Sequence, residues 1–157
     1  MTPLVSIIVP NFNHAEYLSE RLGSIFQQTY TNFEVIILDD HSTDYSLEII
    51  DSFRADSRLV GIVVNEINVG SPFMQWKKGL ELAKGKIGWI AESDDVSDST
   101  FLQKMVDFYM ENHLVMCYSL SKKIDSKGRD CGLVQKSLSQ NLILSGGGGS
   151  WCLLMEQ

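Results

Sequence analysis

The hydrophobic positions of this chain follow two alternating spacings. Short, nearly continuous apolar runs, typical of strands covered on both faces of a sheet, occur at residues 4–9, 33–38, 59–64, 87–91 and 114–120. Between these runs, apolar residues return every three or four positions, as they do on one face of a helix. This alternation of strands and helices predicts an α/β domain with a largely parallel sheet.

Several of these segments also carry local signals at their ends. We expect the first strand to stop at Pro10, because proline has no N–H to donate to a sheet ladder. Ser71 followed by Pro72 predicts the start of a helix, and Lys84 followed by Gly85 predicts its end. These predicted ends of strands and helices therefore fall where the apolar spacing changes.

Composition and charge narrow the class of protein. The 157 residues are 44% hydrophobic, which is ordinary for one globular domain, and the formal charge of -7 argues against non-specific binding to nucleic acid. The three cysteines have no short metal-like spacing, and the N-terminus does not resemble a signal peptide. No apolar run approaches the roughly 18 residues that would span a bilayer. We expect a cytoplasmic protein with reduced thiols, which could still act at the inner face of a membrane.

Three carboxylates, Glu92, Asp94 and Asp95, follow the fourth apolar run within four residues. Two carboxylates about 4 Å apart repel by roughly 4 kcal/mol at an effective dielectric constant near 20, so a rigid cluster favours a counter-ion. Mg²⁺ and Mn²⁺ prefer oxygen ligands, and Mg²⁺ is usually held by one or two carboxylates together with substrate phosphates. The cluster therefore predicts a divalent cation beside a nucleotide or sugar nucleotide.

Two further loops follow predicted strands. Asp39 and Asp40 end the second apolar run, and residues 10–13 follow the first. The carboxyl ends of parallel strands meet at one edge of a sheet, where open α/β sheets bind ligands. Phe12 could stack on a base there, while the carboxylates could hold base, ribose and metal.

Six short motifs occur in order along residues 4–118. They lie at residues 6–13, 24–29, 33–44, 68–70, 78–85 and 92–95. Together they resemble the nucleotide-binding half of the family 2 glycosyltransferases. This resemblance implies the GT-A fold, a Rossmann-like three-layer sandwich with a mostly parallel central sheet, here truncated on the acceptor side.

The resemblance also implies roles for single residues in a base pocket. Phe12 would stack on the nucleotide base, and Asp40 or its neighbour Asp39 would accept a hydrogen bond from it. Pro10 and Asn13 would shape the pocket.

The acidic cluster would hold the rest of the donor. By the family pattern Asp94 would face the ribose and Asp95 the metal, Mn²⁺ or Mg²⁺, that bridges the diphosphate. Glu92 is one methylene longer than the commoner aspartate, so its metal contact could be weaker or shifted. Lys78 could contact a phosphate, although a solvated lysine on an amphipathic helix is the more ordinary interpretation.

The reaction implied by the resemblance is inverting transfer of a sugar from a nucleoside-diphosphate sugar, with a UDP-sugar expected. The acceptor would be a hydroxyl of a glycan or a lipid-linked acceptor, in polysaccharide or glycoconjugate synthesis. A carboxylate base should take the acceptor proton. Asp125, Asp130 and Glu156 are the last three acids of the sequence, and none lies in a recognisable base motif. We therefore expect the chain to bind donor but to transfer sugar poorly.

The same pattern predicts a division of the chain. Residues 1–120 would form the nucleotide-sugar-binding domain, residues 121–144 a partial acceptor-side hairpin, and residues 145–157 a flexible glycine-rich tail. A missing acceptor half would leave apolar surface exposed and favour self-association.

Other interpretations of the same residues stay open. The chain could be an inactive module that binds sugar nucleotides, or a phosphoacceptor receiver-like domain, although the latter leaves the acidic cluster unexplained. Phe12 could be a core aromatic, and residues 42–44 could be a turn and helix cap. The isolated histidines, His14, His41 and His113, favour surface or capping roles over metal binding.

Overall fold

The protein, described here by a computed structural model, is an alternation of helices and strands. The structure describes residues 2–112, 114–118, 122–125, 129–133, 144–145 and 152–155. The helices are α1 (Ala15–Phe26), α2 (Ser46–Ser52), α3 (Pro72–Leu82) and α4 (Phe101–Asn112). The strands are β1 (Val5–Asn11), β2 (Phe33–Asp39), β3 (Leu59–Val64), β4 (Ile87–Ile90), β5 (Leu114–Tyr118), β6 (Lys122–Ile124), β7 (Asp130–Leu133), β8 (Leu144–Ser145) and β9 (Cys152–Met155).

The main sheet has the strand order β3-β2-β1-β4-β9-β5-β8 within the described part of the chain. The four strands β3, β2, β1 and β4 are parallel, which confirms the predicted α/β class. Every residue of β1 and β2 is buried, because helices cover both faces of the sheet.

The two faces of the sheet carry separate apolar clusters. On one face, Val5, Ile7 and Val9 of β1 pack with residues of α1, α2 and α4. On the other face, Ile8 packs with α3. Alternate residues of β1 thus face opposite layers, which gives three layers in all.

The first strand does not stop before Pro10, contrary to the expectation from sequence. Pro10 pairs with Leu38 of β2, and β1 continues to Asn11. The backbone groups of even-numbered β1 residues face β4, as the bond from Ala91 N to the Ile8 carbonyl shows. The pairing with β4 ends at Ile8 and Ile90, so Pro10 lies where its missing N–H has no strand to pair with.

The C-terminal residues also differ from expectation. Cys152–Met155, part of the expected flexible tail, forms β9, which runs parallel to both β4 and β5 in the sheet. A short apolar segment suits a central strand, and the neighbouring glycine run obscured that signal. Residues 146–151 and 156–157 lie outside the described residues, and the proposed division into domains stays a prediction.

Strands β6 and β7 pair antiparallel as a separate two-stranded sheet, and the expected acceptor-side role of residues 121–144 stays a prediction. Asp125 N donates to the Arg129 carbonyl at 3.0 Å. In the described part of the chain, no helix has the length and apolar character needed to cross a membrane.

Helix α3 approaches the sheet closely at Gly79, which is buried. A Cβ atom at this position would press against Ile8 Cγ2 and lie 3.0 Å from Leu38 Cδ1. The missing side chain therefore lets α3 lie close to β1 and β2. Gly23 on α1, by contrast, has no atom within 4 Å of the position a Cβ would take.

This contrast predicts opposite effects of the same substitution. Gly79→Ala should lower the free energy of unfolding by about 1–3 kcal/mol, because it overpacks the helix–sheet contact. Gly23→Ala should raise it by roughly 0.5–1 kcal/mol, because alanine restricts the unfolded chain and favours helix. Urea unfolding measures both. Equal effects of the two substitutions would contradict the close packing of α3.

Candidate functional site

A cavity of about 380 Å³ opens at the carboxyl ends of β1, β2 and β4. The loops that follow these strands supply its walls, together with the start of α3. Its lining residues are Pro10, Asn11, Phe12, His14, Asp40, Asn68, Gly70, Ser71, Pro72, Gln75, Glu92, Ser93 and Asp94. The sequence predicted this edge, and Pro10, Phe12, Asp40, Glu92 and Asp94 do meet there.

The loop after β1 presents Phe12 at the cavity. The ring is 42% exposed, so its role as a core aromatic is excluded. Asn13 braces this loop, because its backbone N–H donates to Ser42 Oγ at 2.9 Å and its Oδ1 accepts from Thr43 N at 2.8 Å. Asn13 has a φ of 54°, a conformation that asparagine tolerates better than most residues.

Asp39 lies fully buried beneath the same loops. Its carboxylate accepts hydrogen bonds from Asn11 Nδ2 at 2.7 Å, from Ser42 N at 2.8 Å and from Ser42 Oγ at 2.6 Å. Asp44 accepts from Ala15 N at the start of α1 and from Ser46 N at the start of α2. Residues 42–44 thus form the turn and caps that local sequence suggested.

Asp40 anchors the loop between β3 and α3. Its Oδ1 accepts from Asn65 Nδ2 at 2.7 Å, Val69 N at 3.0 Å and Gln75 Nε2 at 2.9 Å. Its Oδ2 accepts from Val69 N at 3.1 Å and Gly70 N at 2.9 Å. Burial alone would raise the pKa of Asp40, but these hydrogen bonds outweigh it and lower the pKa below the usual value.

The acidic loop after β4 points its first carboxylate at α3. Trp76 Nε1 donates to Glu92 Oε1 at 2.9 Å. Burial raises the pKa of Glu92, and the negative charges of Asp94 and Asp95 raise it further, against the opposing effects of Trp76 and Arg21. The loop therefore carries excess negative charge that a cation would relieve.

The expected trio of metal ligands is not assembled. Within the described ranges, no three His, Cys, Asp or Glu side chains are grouped so that they could hold a metal ion. Glu92 already accepts a hydrogen bond from the indole of Trp76, and Asp94 lines the cavity in the same loop. Mg²⁺ is commonly held by one or two carboxylates together with ligand oxygens, so a site with fewer than three protein carboxylates remains chemically possible.

His14 joins the site, although its sequence context favoured a surface or capping role. His14 Nδ1 lies 2.6 Å from Ser93 Oγ, and Ser93 is buried and lies between Glu92 and Asp94 in the sequence. Both residues line the cavity. They are 79 positions apart, so no local pattern could have linked them.

Lys78 lies outside this cavity. Its Nζ contacts Asn65 Oδ1 at 3.0 Å, and it lines a neighbouring cavity of about 370 Å³. Neither lysine nor arginine is among the residues that line the main cavity. A doubly anionic ligand in this cavity would therefore need a cation to offset its charge.

The acids of the hairpin are engaged with basic residues. Asp125 accepts from Arg129 Nε at 2.7 Å, and Asp130 pairs with Lys122 Nζ at 2.7 Å. Glu156 lies outside the described residues. A base for acceptor activation is therefore not identified in the part of the chain that the structure describes.

Comparison with known proteins gives a consistent result. The model of the family described as glycosyl transferase family 2 matches residues 6–145. An uncharacterized glycosyltransferase of Haemophilus influenzae is 36% identical over 135 residues, which cover 86% of this chain and 54% of that protein. The poly(ribitol-phosphate) beta-N-acetylglucosaminyltransferase TarS of Staphylococcus aureus is 31% identical, with 89% of this chain and 25% of that protein covered. The chain thus spans about half or less of these relatives.

Solved structures agree on the fold. The crystal structure of TarS 1–349 from S. aureus in complex with UDP matches with a TM-score of 0.68 and 30% identity, covering 74% of this chain and 35% of that chain. The mannosyltransferase PcManGT from Pyrobaculum calidifontis, in complex with GDP-Man and Mn²⁺, matches with a TM-score of 0.69 and 24% identity, over 78% of this chain and 36% of that chain. The latter supports the fold alone. The GT-A fold expected from sequence is confirmed.

The hydrogen bonds of Asp40 predict a pH-dependent effect on stability. At pH 7, Asp40→Asn should lower the free energy of unfolding by about 1–3 kcal/mol, because buried donors lose their charged acceptor. The folded-state pKa lies below the unfolded value, so this stabilisation is present above about pH 4 and disappears as the pH falls through the folded-state pKa. Urea unfolding at pH 7 and pH 3 measures the difference.

The matched control is Asp51→Asn. Asp51 pairs with Arg54 at 2.7 Å on the surface, with both side chains mostly exposed. This substitution should change stability by no more than about 0.5 kcal/mol. A loss at Asp40 that is equally large at pH 3 would contradict the proposed anchoring by its charged form.

Proposed function

We propose that this chain, which belongs to glycosyltransferase family 2, binds a nucleoside-diphosphate sugar in the cavity at the carboxyl ends of β1, β2 and β4. The observation that carries the proposal is the meeting of an exposed ring, an anchored loop and an acidic loop at one cavity. A volume of about 380 Å³ falls within the roughly 300–1,000 Å³ of ordinary small-molecule sites. The donor would be a UDP-sugar.

The names and bound ligands of relatives support a UDP-sugar donor and a role in the synthesis of a polysaccharide or glycoconjugate. TarS of S. aureus has been crystallised with UDP and with UDP-GlcNAc. TarS is named as a poly(ribitol-phosphate) beta-N-acetylglucosaminyltransferase, and a relative in Bacillus subtilis is named as a putative teichuronic acid biosynthesis glycosyltransferase. We infer that this chain serves the synthesis of a polysaccharide or glycoconjugate, with a glycan or lipid-linked acceptor.

Within the cavity, Phe12 would stack on the base, and Pro10 would form the adjoining wall. An aromatic platform of this kind suits a base because both faces of the contact are flat and apolar. Asp94, which is exposed at the cavity, would face the ribose. Lys78 could reach a phosphate only from the neighbouring cavity, so its role is the least supported of the proposed contacts.

The acidic loop would hold Mn²⁺ or Mg²⁺ through Asp95 with Asp94. When bound, such a cation would offset the negative charge that develops on the leaving diphosphate. Burial is the main cause of the raised pKa of Glu92, and the charges of Asp94 and Asp95 raise it further, which fits a role for a cation at this loop. Glu92 would keep the acidic loop next to α3 through the hydrogen bond that it accepts from Trp76.

The proposed reaction is inverting transfer, with a carboxylate base removing the proton of the acceptor hydroxyl. A second candidate function is a sugar-nucleotide-binding module without transfer activity. It is favoured by the ion pairs that engage Asp125 and Asp130, the two acids of the hairpin. Transfer of radiolabelled sugar to a panel of glycan and lipid acceptors, with slow donor hydrolysis as the reference, separates the two functions.

The proposal predicts metal-dependent binding of UDP. Calorimetry should show UDP affinity at least tenfold higher with Mn²⁺ than with EDTA, because the cation offsets charge in a cavity lined by carboxylates. Asp95→Asn should remove most of this difference. The control is Asp98→Asn, since Asp98 is exposed and bonds Thr100 outside the cavity. Affinity that is indifferent to EDTA would remove the metal from the proposal, and absence of UDP binding would refute the function.

A further inference from the structure

The segment between β3 and the first turn of α3 has two kinds of surface. Residues 68 and 70–72 line the proposed donor cavity. Four large apolar side chains of the same segment, called here the apolar rim, are instead exposed: Ile67 at 73%, Val69 at 49%, Phe73 at 68% and Met74 at 54%. No other stretch of this length in the described part of the chain carries as many. Exposed apolar side chains gathered in this way mark a binding surface.

The backbone beneath the apolar rim is fixed. Val69 N donates to Asp40 Oδ1 at 3.0 Å, and Gly70 N donates to Asp40 Oδ2 at 2.9 Å. At the other end of the rim, the ring of Phe73 packs edge-on against Trp76, with ring centroids 4.9 Å apart. The exposed side chains are therefore presented by a preformed segment, which lowers the ordering cost of docking.

Two lysines lie beside the apolar rim. Lys77 and Lys78 follow Met74 by three and four positions on α3, so all three side chains lie on one face of the helix. Both lysines, with Met74 and Val69, also border the neighbouring cavity of about 370 Å³. Lys77 Nζ is 4.0 Å from Glu81 Oε1, and both side chains are mostly exposed, so this ion pair holds the lysine only weakly. A lysine placed in this way can keep its stem on apolar groups and its ammonium at a phosphate.

Charge around the apolar rim differs from that of the whole chain. Between residues 67 and 78 the charged residues are Lys77 and Lys78, while Glu66 and Glu81 lie just outside this stretch. The whole chain carries a formal charge of -7. An anionic surface would therefore attract this stretch and repel most of the remainder, which favours one orientation of docking.

These features suit a phospholipid bilayer better than a protein partner. Four side chains fall short of the roughly 800 Å² that each partner contributes to a stable protein interface. Insertion at the boundary between headgroups and acyl chains requires only apolar side chains at the contact and lysines beside them.

We propose that residues 67–78 dock on the surface of a phospholipid bilayer. Ile67, Phe73 and Met74 enter the boundary of the acyl chains, and Lys77 and Lys78 contact the phosphates of the headgroups. This inference goes beyond the proposed function and does not depend on nucleotide binding. Because the same segment lines the donor cavity, docking sets that cavity at the bilayer surface, where a lipid-linked acceptor would present its sugar.

Vesicle flotation with the whole chain, without nucleotide, tests the inference. The probes are vesicles of phosphatidylcholine and vesicles of phosphatidylcholine mixed equally with phosphatidylglycerol. We expect about fivefold tighter binding to the mixed vesicles at low salt, with the difference shrinking as salt rises. Met74→Gln should weaken binding to both kinds of vesicle about fivefold, because it removes an apolar contact. Lys77→Gln should reduce the preference for mixed vesicles to about twofold and leave binding to phosphatidylcholine nearly unchanged.

Two matched controls lie on or beside α4. Met110 is 49% exposed, close to the value for Met74. Lys104 Nζ is 3.9 Å from Asp98 Oδ1 with both side chains mostly exposed, which reproduces the weak ion pair of Lys77. Met110→Gln and Lys104→Gln should bind both kinds of vesicle as the unaltered chain does.

The outcomes that overturn the inference are distinct. Failure of the unaltered chain to bind either kind of vesicle would overturn it, and so would equal losses in Met74→Gln and Met110→Gln. Sedimentation velocity tests the other occupant, because a concentration-dependent dimer that Met74→Gln abolishes would assign the apolar rim to a second copy of the chain.

The proposed function is measured separately, by calorimetry with UDP and Mn²⁺. Met74→Gln should leave UDP affinity unchanged, since Met74 does not line the donor cavity. Vesicle binding without UDP binding would refute the proposed function and uphold this inference. UDP binding without vesicle binding would uphold the proposed function and overturn docking on a bilayer.

Discussion

The burial of the Asp40 carboxylate at the end of β2 is the interaction on which the site depends. A charged group in this position is costly unless protein donors surround it, and the loop from Asn65 to Gly70 supplies them. The loop has little regular structure of its own, so its path is set by these bonds. Through Gln75 the same carboxylate also fixes the start of α3, and thereby one wall of the cavity.

The parallel sheet explains why these groups meet. Helices on both faces bury β1 and β2 completely, so polar groups can accumulate only where the strands end. Three strand ends contribute the ring of Phe12, the anchored loop and the acidic loop. The lining of the cavity then carries carboxylates but no lysine or arginine, and this negative charge favours a bound cation.

Much of the fold could be predicted from sequence, because the apolar runs and helix ends are local signals. Helix α3 begins at Pro72, and β3 spans the residues that its apolar run predicted. Strand β9 was missed because its four apolar residues follow a glycine run and find their partners in β4, some 65 positions earlier in the chain. Pro10 was misjudged because its place in the strand depends on where β4 ends.

The residues of the site were predictable, but their roles were not. Strand ends and acidic residues identify Asp40 and Glu92 as polar groups at the cavity. Their partners, Val69 and Trp76, are set by the path of the chain and by the docking of α3. The pairing of His14 with Ser93 has the same origin. Sequence therefore located the site, while the folded chain decided which polar groups are already satisfied.

The central claim is that this cavity binds the nucleotide, and amide chemical shifts measured during titration with UDP and Mg²⁺ test it most directly. The largest changes should fall in residues 11–14, 65–71 and 92–95, which line or border the cavity. A separate cavity, lined by α1 and by residues 96–99, serves as the comparison. Chemical-shift changes centred on Ser24 and Ser97 in that separate cavity, or no changes at all, would contradict nucleotide binding at the proposed site.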